Sequence, residues 1–241
     1  MTVHVATVHH RDDRFADIQL DALERWIDEP LETWAVLDNV TSNRFDHVVT
    51  TTETKHGPRL DVIARSIIKA ANPSDLIMFI DGDAWPVAFV TPAVWDAVRR
   101  GKILAVRRDE SPAGPWPHPL FCVTTVEDWD RLDASWVPET WADPTVKLRY
   151  DVGAGVGRRL LEEGRDFLPL LRLNTSDPHP LFFGVYGDKN GPLIYHHGAG
   201  FRSKYSKASR PEDTIEAIQA LSDRILGEAK TDPNFWRTLV K

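Results

Sequence analysis

Asp75-Leu76-Ile77-Met78-Phe79-Ile80-Asp81-Gly82-Asp83 is the stretch on which the fold turns. An unbroken apolar run bounded by acidic residues is the mark of a strand buried on both faces, as in a parallel sheet covered by helices. In open α/β sheets, ligands sit beyond the carboxyl ends of such strands. Two carboxylates one residue apart, with Gly82 between them, can aim oxygens at one hard cation such as Mg²⁺ or Mn²⁺. A cation held there can bridge to a diphosphate and stabilise the charge that develops as it leaves. The alternative is a surface turn with two solvated acids, which its place directly after a buried strand disfavours.

Outward from this strand, the first hundred residues alternate. Val3 to Val8 reads as a strand, Phe15 to Trp26 as a helix with apolar residues near helical spacing, and Thr33 to Leu37 as a second strand ended by Asp38-Asn39. Asp46 to Thr51 is a weaker strand. Gly57-Pro58 opens a helix that Asn72-Pro73 ends, since proline suits a first helical turn but not an interior. Thr91 to Arg100 reads as a helix with Thr91 as N-cap and Pro92 next, and Lys102 to Val106 as a strand. This β-α-β-α-β order predicts an α/β fold with a mostly parallel central sheet and helices on both faces. The second half is less regular. Ser111 to Pro119 carries four prolines in nine residues and reads as a loop, Leu120 to Thr124 and Leu193 to His196 as strands. A glycine turn and short helix span Tyr150 to Gly164, and a C-terminal helix capped by Ser209 runs over 211–230.

The chain has 241 residues, a length one large α/β domain accommodates. A net charge of −7 argues against nucleic-acid binding by the general surface. Cys122 is the single cysteine, so an intrachain disulfide and a cysteine-rich zinc site are both excluded. It also favours a reducing, cytoplasmic setting. The longest apolar run, Leu76 to Ile80, is too short to span a bilayer, and the N-terminus lacks a signal-peptide pattern.

Two further segments bear on chemistry. Tyr195-His196-His197-Gly198-Ala199-Gly200-Phe201-Arg202 places two imidazoles at a strand end, either of which can complete a metal shell. Between Lys189 and Pro211 there is no acidic residue but there are Lys189, Arg202, Lys204, Lys207 and Arg210, which suggests a local anion site. Asp151-Val152-Gly153-Ala154-Gly155-Val156-Gly157 looks like the glycine loop of S-adenosylmethionine-dependent methyltransferases, which gives a second reading of the chain. Its context is poor, because no hydrophobic strand precedes it and 84 residues follow. A dehalogenase-type phosphatase is disfavoured because Trp85 stands where that motif needs Thr or Val.

His56-Gly57-Pro58-Arg59-Leu60, Phe79-Ile80-Asp81-Gly82-Asp83-Ala84-Trp85-Pro86, His118-Pro119-Leu120-Phe121-Cys122 and His196-His197-Gly198-Ala199-Gly200-Phe201-Arg202 together resemble the GT-A class of nucleotide-sugar glycosyltransferases. The similarity spans most of residues 3–205. It implies a GT-A-like, Rossmann-like single domain, with a nucleotide-binding half over 1–110, an acceptor and metal-completing half over 111–210, and a helical segment over 211–241. It implies transfer of a sugar from a UDP- or GDP-linked donor to a carbohydrate or small-molecule acceptor, with Mn²⁺ or Mg²⁺ as cofactor. Asp81 is then expected to contact ribose or metal, Asp83 to bind the metal, and His196 or His197 to complete the shell. Thr7, His9 and Arg11 after the first strand, with Asp38 and Asn39, are expected to hold the nucleoside. His56 and Arg59 at a helix start face nucleotide or phosphate, Arg202 and Lys204 close over the donor, and Asp151 is the candidate base. A non-catalytic nucleotide-sugar-binding module is a third reading.

The sequence holds nine tryptophans. Trp85, Trp116, Trp136 and Trp141 fall in loop-like sequence where an indole could stack on a sugar, with Trp85 and Trp116 the leading candidates. Trp26, Trp95 and Trp129 fall on apolar helical faces and are expected in the core. His118 and His179, each flanked by prolines, are expected to be structural.

Overall fold

The structure, a computed structural model, describes residues 1–107, 116–141, 149–174, 184–198 and 215–239. The chain order is β1 (Val3–His10), α1 (Asp13–Trp26), β2 (Leu31–Asp38), β3 (His47–Val48), α2 (His56–Ala70), β4 (Leu76–Ile80), β5 (Ala84–Pro86), α3 (Thr91–Arg99), β6 (Leu104–Arg107), β7 (Pro117–Thr125), α4 (Val126–Arg131), β8 (Glu139–Trp141), β9 (Arg149–Asp151), α5 (Ala154–Glu162), β10 (Leu168–Arg172), β11 (Gly184–Asp188), β12 (Gly191–His196) and α6 (Ile215–Thr231). Ten strands form one sheet in the order β3-β2-β1-β4-β7-β6-β10-β11-β12-β5, and β8 and β9 form a separate pair.

The expected parallel sheet is present from β3 to β4. Beyond β4 the sheet is mixed, because β7, β11 and β5 run against the other seven strands. The sequence reading missed β5, β10 and β11 in this sheet and the β8–β9 pair outside it. β5, β8 and β9 have three residues each, and β10 and β11 lack the unbroken apolar run that announced β4. β7 begins at Pro117, inside the stretch read as a proline-rich loop; prolines are tolerated at the start of a strand, where fewer ladder donors are needed.

β4 explains the layering. Its five residues are all buried. Leu76, Met78 and Ile80 join one core with Leu20 and Leu23 of α1 and Val94 of α3. Ile77 and Phe79 join the other core with Leu60, Ile63 and Ile67 of α2, Trp129 of α4 and Leu160 of α5. Helices therefore cover both faces, as period-two alternation of a wholly apolar strand requires. Burial of each such side chain contributes about 1.5–3 kcal/mol. A third cluster, with Phe15, Trp85, Tyr195, Ile225 and Phe235, joins α1, β5, β12 and α6.

Side-chain caps start α1 and α4, whereas α2, α3 and α5 begin without one. Asp12 caps α1 by accepting from the Arg14 N–H at 3.0 Å. Thr91 is not the cap of α3: the helix starts on Thr91 itself after Val90, and the threonine hydroxyl donates to Glu29 at 2.7 Å. The stretch 211–214 and the expected cap Ser209 lie outside the described residues, and α6 is described from Ile215.

The glycine run after Asp151 is a packing device. Gly155 and Gly157 lie within α5, and Gly153 immediately precedes it. A Cβ on Gly153 would stand 1.9 Å from the Pro117 carbonyl oxygen, and one on Gly157 would stand 2.2 Å from the Trp116 indole. The glycines let α5 press against the start of β7, so the space a cofactor would need is filled by protein. Gly153→Ala is expected to lower stability by about 1–3 kcal/mol through this backbone collision, read as a melting temperature several degrees lower by calorimetry.

Candidate metal centre

The seven co-directed strands bring their carboxyl ends to one pole of the sheet. His10 ends β1, Asp38 ends β2, Asp81 follows β4 and His196 ends β12. β7 runs the other way, so its beginning, with His118, reaches the same pole. From β1 the chain order passes to β2 and β3 on one side, while β4 lies on the other. The β1–β4 boundary is thus a topological switch point, where crossovers leave to opposite faces of the sheet.

At that boundary Asp81, Asp83 and His196 each offer a ligand atom, and all three atoms lie within 4.8 Å of one another. Their side chains are 16%, 19% and 18% exposed, enough for a ligand to reach them. The His196 Nε2 lies 3.4 Å from Asp83 Oδ1. The His56 Nε2 donates to Asp81 Oδ1 at 2.8 Å from the first turn of α2. Two carboxylates and one imidazole are an oxygen-rich set that fits Mn²⁺ or Mg²⁺ by chemistry.

The electrostatics follow from these neighbours. Burial works to raise the Asp81 pKa, but the charge and hydrogen bond of His56 outweigh it, with His118 and His196 adding to the effect, and the carboxyl is held well below the usual range. Burial likewise opposes the charged form of His56, yet Asp81 and then Asp83 raise its pKa above the ordinary 6.5. His118 therefore bears on the site, whereas sequence reasoning placed it as structural. It does both, since its Nδ1 also accepts the Leu120 N–H at 3.0 Å. Its proximity arises from an antiparallel strand, which no local pattern announced.

His197 does not join this group. It is buried, its Nδ1 pairs with the Tyr195 hydroxyl at 2.9 Å, and its Nε2 pairs with the Ser222 hydroxyl of α6 at 2.7 Å. Burial pushes its pKa down to about 4. Adjacent residues of a strand point to opposite sides, so only His196 can face the carboxylates. The His197 backbone does take part, since its N–H donates to the Asp83 carbonyl at 2.8 Å.

The same alternation separates the residues expected to hold a nucleoside. Thr7 and His9 are buried on the α1 side of β1 and do not line the pole as binding groups. His9 instead faces Gln19 of α1 at 3.1 Å. His10, which sequence reasoning passed over, donates from Nδ1 to Asp38 at 2.8 Å, and Arg59 donates to the same oxygen at 2.9 Å. Arg59, ahead of His10, holds the Asp38 carboxyl below its usual range. Arg59 also donates to the Glu53 carbonyl at 2.8 Å, so it is committed to protein partners. Arg11 and Asn39 follow the strands with φ of 67° and 56°, and the Arg11 N–H donates to the Asp38 carbonyl at 3.0 Å.

Asp151 ends β9, where it stands opposite Glu139. Arg202, Lys204 and His179 lie outside the described residues. Trp85 is no sugar platform: it is 2% exposed and packs 4.8 Å from Tyr195 in the aromatic cluster. Trp136 is also buried, against Phe79 and Trp129. Trp116 is partly exposed and lies against Gly157.

No family model matches the chain, and no curated protein matches it. Solved structures do. Staphylococcus aureus TarS, residues 1–349, aligns over 100% of this chain and 76% of its own at 14% identity and a TM-score of 0.48. The mannosyltransferase PcManGT from Pyrobaculum calidifontis, in complex with GDP-Man and Mn²⁺, aligns over 95% of this chain and 75% of its own at 13% identity and a TM-score of 0.47. Against a longer S. aureus TarS structure, at 13% identity and a TM-score of 0.42, the match covers 56% of this chain and 30% of that one. Among the described residues no helix is long and apolar enough to cross a membrane.

Were a dication to bind Asp81, the His56–Asp81 pair would make its uptake pH-dependent. Protonated His56 competes with a cation for Asp81, and its raised pKa places that competition above 6.5. Mn²⁺ affinity is expected to climb as pH rises beyond 6.5. In His56→Gln the slope should flatten, as measured by Mn²⁺ titration followed by electron paramagnetic resonance between pH 6 and about 8.5.

Proposed function

We propose that this chain is a metal-dependent glycosyltransferase that moves a sugar from a nucleotide diphosphate donor, UDP- or GDP-linked, to an acceptor hydroxyl. The observation that carries this reading is the convergence of Asp81, Asp83 and His196 within 4.8 Å at the switch point of the sheet. Two carboxylates bind a dication with near charge balance, and a switch-point crevice is where α/β sheets hold nucleotides. A bound Mn²⁺ or Mg²⁺ supplies Lewis-acid stabilisation of the departing diphosphate.

The chain's own groups then divide the work. His56 lies in the first turn of α2, 2.8 Å from Asp81, where the helix dipole favours an anion, and it can donate to a phosphate oxygen. Asp38, fixed by His10 and Arg59 at the next strand end, presents an ionised acceptor suited to N–H groups of a nucleobase or hydroxyls of ribose. Residues 1–110 form the donor-binding half in this reading, and 111–210 supply the acceptor side and the third ligand. Arg202 and Lys204 add positive charge that a diphosphate requires, and closing over the donor excludes water. Asp151 is assigned as the base that takes the proton from the acceptor hydroxyl. A methyltransferase is disfavoured, since the glycine run it needs is packed against Trp116 and Pro117.

Two experiments test this reading. UDP- and GDP-sugars are expected to raise the melting temperature only with Mn²⁺ present, and Asp83→Asn to abolish that shift while its metal-free melting temperature stays near the parent's. Stabilisation by nucleotide in Asp83→Asn would remove the aspartate from the site. Asp151→Asn is expected to cut turnover 100-fold or more, an order of about 10²–10⁴ for a lost general base, with donor affinity unchanged. Metal-dependent nucleotide binding without transfer or donor hydrolysis would instead indicate a binding module.

A further inference from the structure

Gln19 is a fully buried amide in the middle of α1, and no part of the reaction above uses it. Its Nε2 donates to the Asp81 carbonyl at 2.8 Å and to the Ala84 carbonyl at 2.7 Å. Both hydrogens of the amide are thereby spent on the two ends of the turn that carries Asp81 and Asp83. Its Oε1 is left as an acceptor, and it faces His9 Nε2 at 3.1 Å. With the amide so oriented, that His9 nitrogen must carry the proton. Burial keeps His9 neutral by pushing its pKa down to about 4. The other His9 nitrogen, Nδ1, lies against Gly82, where an added Cβ would come within 3.1 Å of it and 2.3 Å of the Val8 carbonyl.

The turn is thus held from beneath. Asp81 and Ala84 hang on Gln19, and Gly82 rests on the end of β1. On the other side, the Asp83 carbonyl is fixed by the His197 N–H. The Ala84 N–H closes the turn on the Asp81 carbonyl at 2.9 Å, and Gln19 adds two further bonds to a turn whose carboxylates repel one another. Outer partners that orient metal ligands typically alter affinity 10–100-fold when removed.

We propose that Gln19, oriented by His9, is a positioning residue that sets the separation of the Asp81 and Asp83 carboxylates and so the affinity of the site for a divalent cation. The proposal rests on the metal-centre reading of those carboxylates. The probe is Mn²⁺ alone, titrated by electron paramagnetic resonance, with the melting temperature of each metal-free protein measured alongside. Gln19→Met keeps the side-chain length and removes the donors; it is expected to weaken Mn²⁺ binding at least about 10-fold. His9→Phe leaves α1 untouched and packs beside Phe45, whose ring lies 5.2 Å away. It removes the donor to the Gln19 Oε1, so the buried amide is held less firmly, and is expected to weaken Mn²⁺ in the same direction by a smaller factor. Asp75→Asn is the stability control. It disturbs a buried carboxylate that accepts from Thr2 and Asn72 at the other end of β4 from the turn, and should leave Mn²⁺ affinity unchanged. Parental affinity in both Gln19→Met and His9→Phe overturns the proposal, as does an equal loss in Asp75→Asn at a matched fall in melting temperature. If the unsubstituted protein binds no Mn²⁺, the metal-centre reading fails and takes this proposal with it.

Discussion

Two carboxylates held within 4.8 Å of a common partner are a cost the rest of the pole is arranged to offset. At an effective dielectric of about 20, two unit charges at that distance repel by roughly 3–4 kcal/mol. Each carboxylate has an imidazole beside it, His56 on Asp81 and His196 on Asp83. Neither histidine is local in sequence. One comes from the start of α2 and the other from the end of β12, and both arrive because the strands and crossovers around β4 converge on one pole. A dication placed among these groups would relieve the same repulsion.

β1 shows how one strand serves both structure and site. Its residues alternate between the α1 and α2 faces, so His9 and His10 have opposite destinations. His9 is sealed under the turn against Gln19, and its low pKa makes it a neutral hydrogen-bond donor. His10 stays partly exposed and fixes Asp38 together with Arg59. The pair His196 and His197 repeats the pattern on β12, with one ring toward the carboxylates and the other bound to Tyr195 and Ser222 in the interior. In both pairs the outward ring comes to a carboxylate and the buried ring is held by interior side chains.

Glycine and tryptophan mislead when read one residue at a time. Gly153-Ala154-Gly155-Val156-Gly157 has the spacing of a ligand loop, yet its missing side chains are replaced by Trp116, Pro117 and Glu139. Trp85 follows the acidic pair directly, yet its indole fills the core between α1 and α6. In each case a feature that suits a ligand also suits dense packing, and close-packed interiors select for the second.

The amino-acid order alone determined that β4 is buried on both faces, that α/β layers flank it, and that an acidic pair stands at its end. Those properties are local: an apolar run, its length and the turn after it. It also narrowed the candidate imidazole to two neighbours. Which of the two, which residues of β1 reach the pole, and that His118 and Gln19 bear on the same turn were decided only by the tertiary structure. These depend on strand parity relative to partners far along the chain and on the antiparallel course of β7, which no local pattern records.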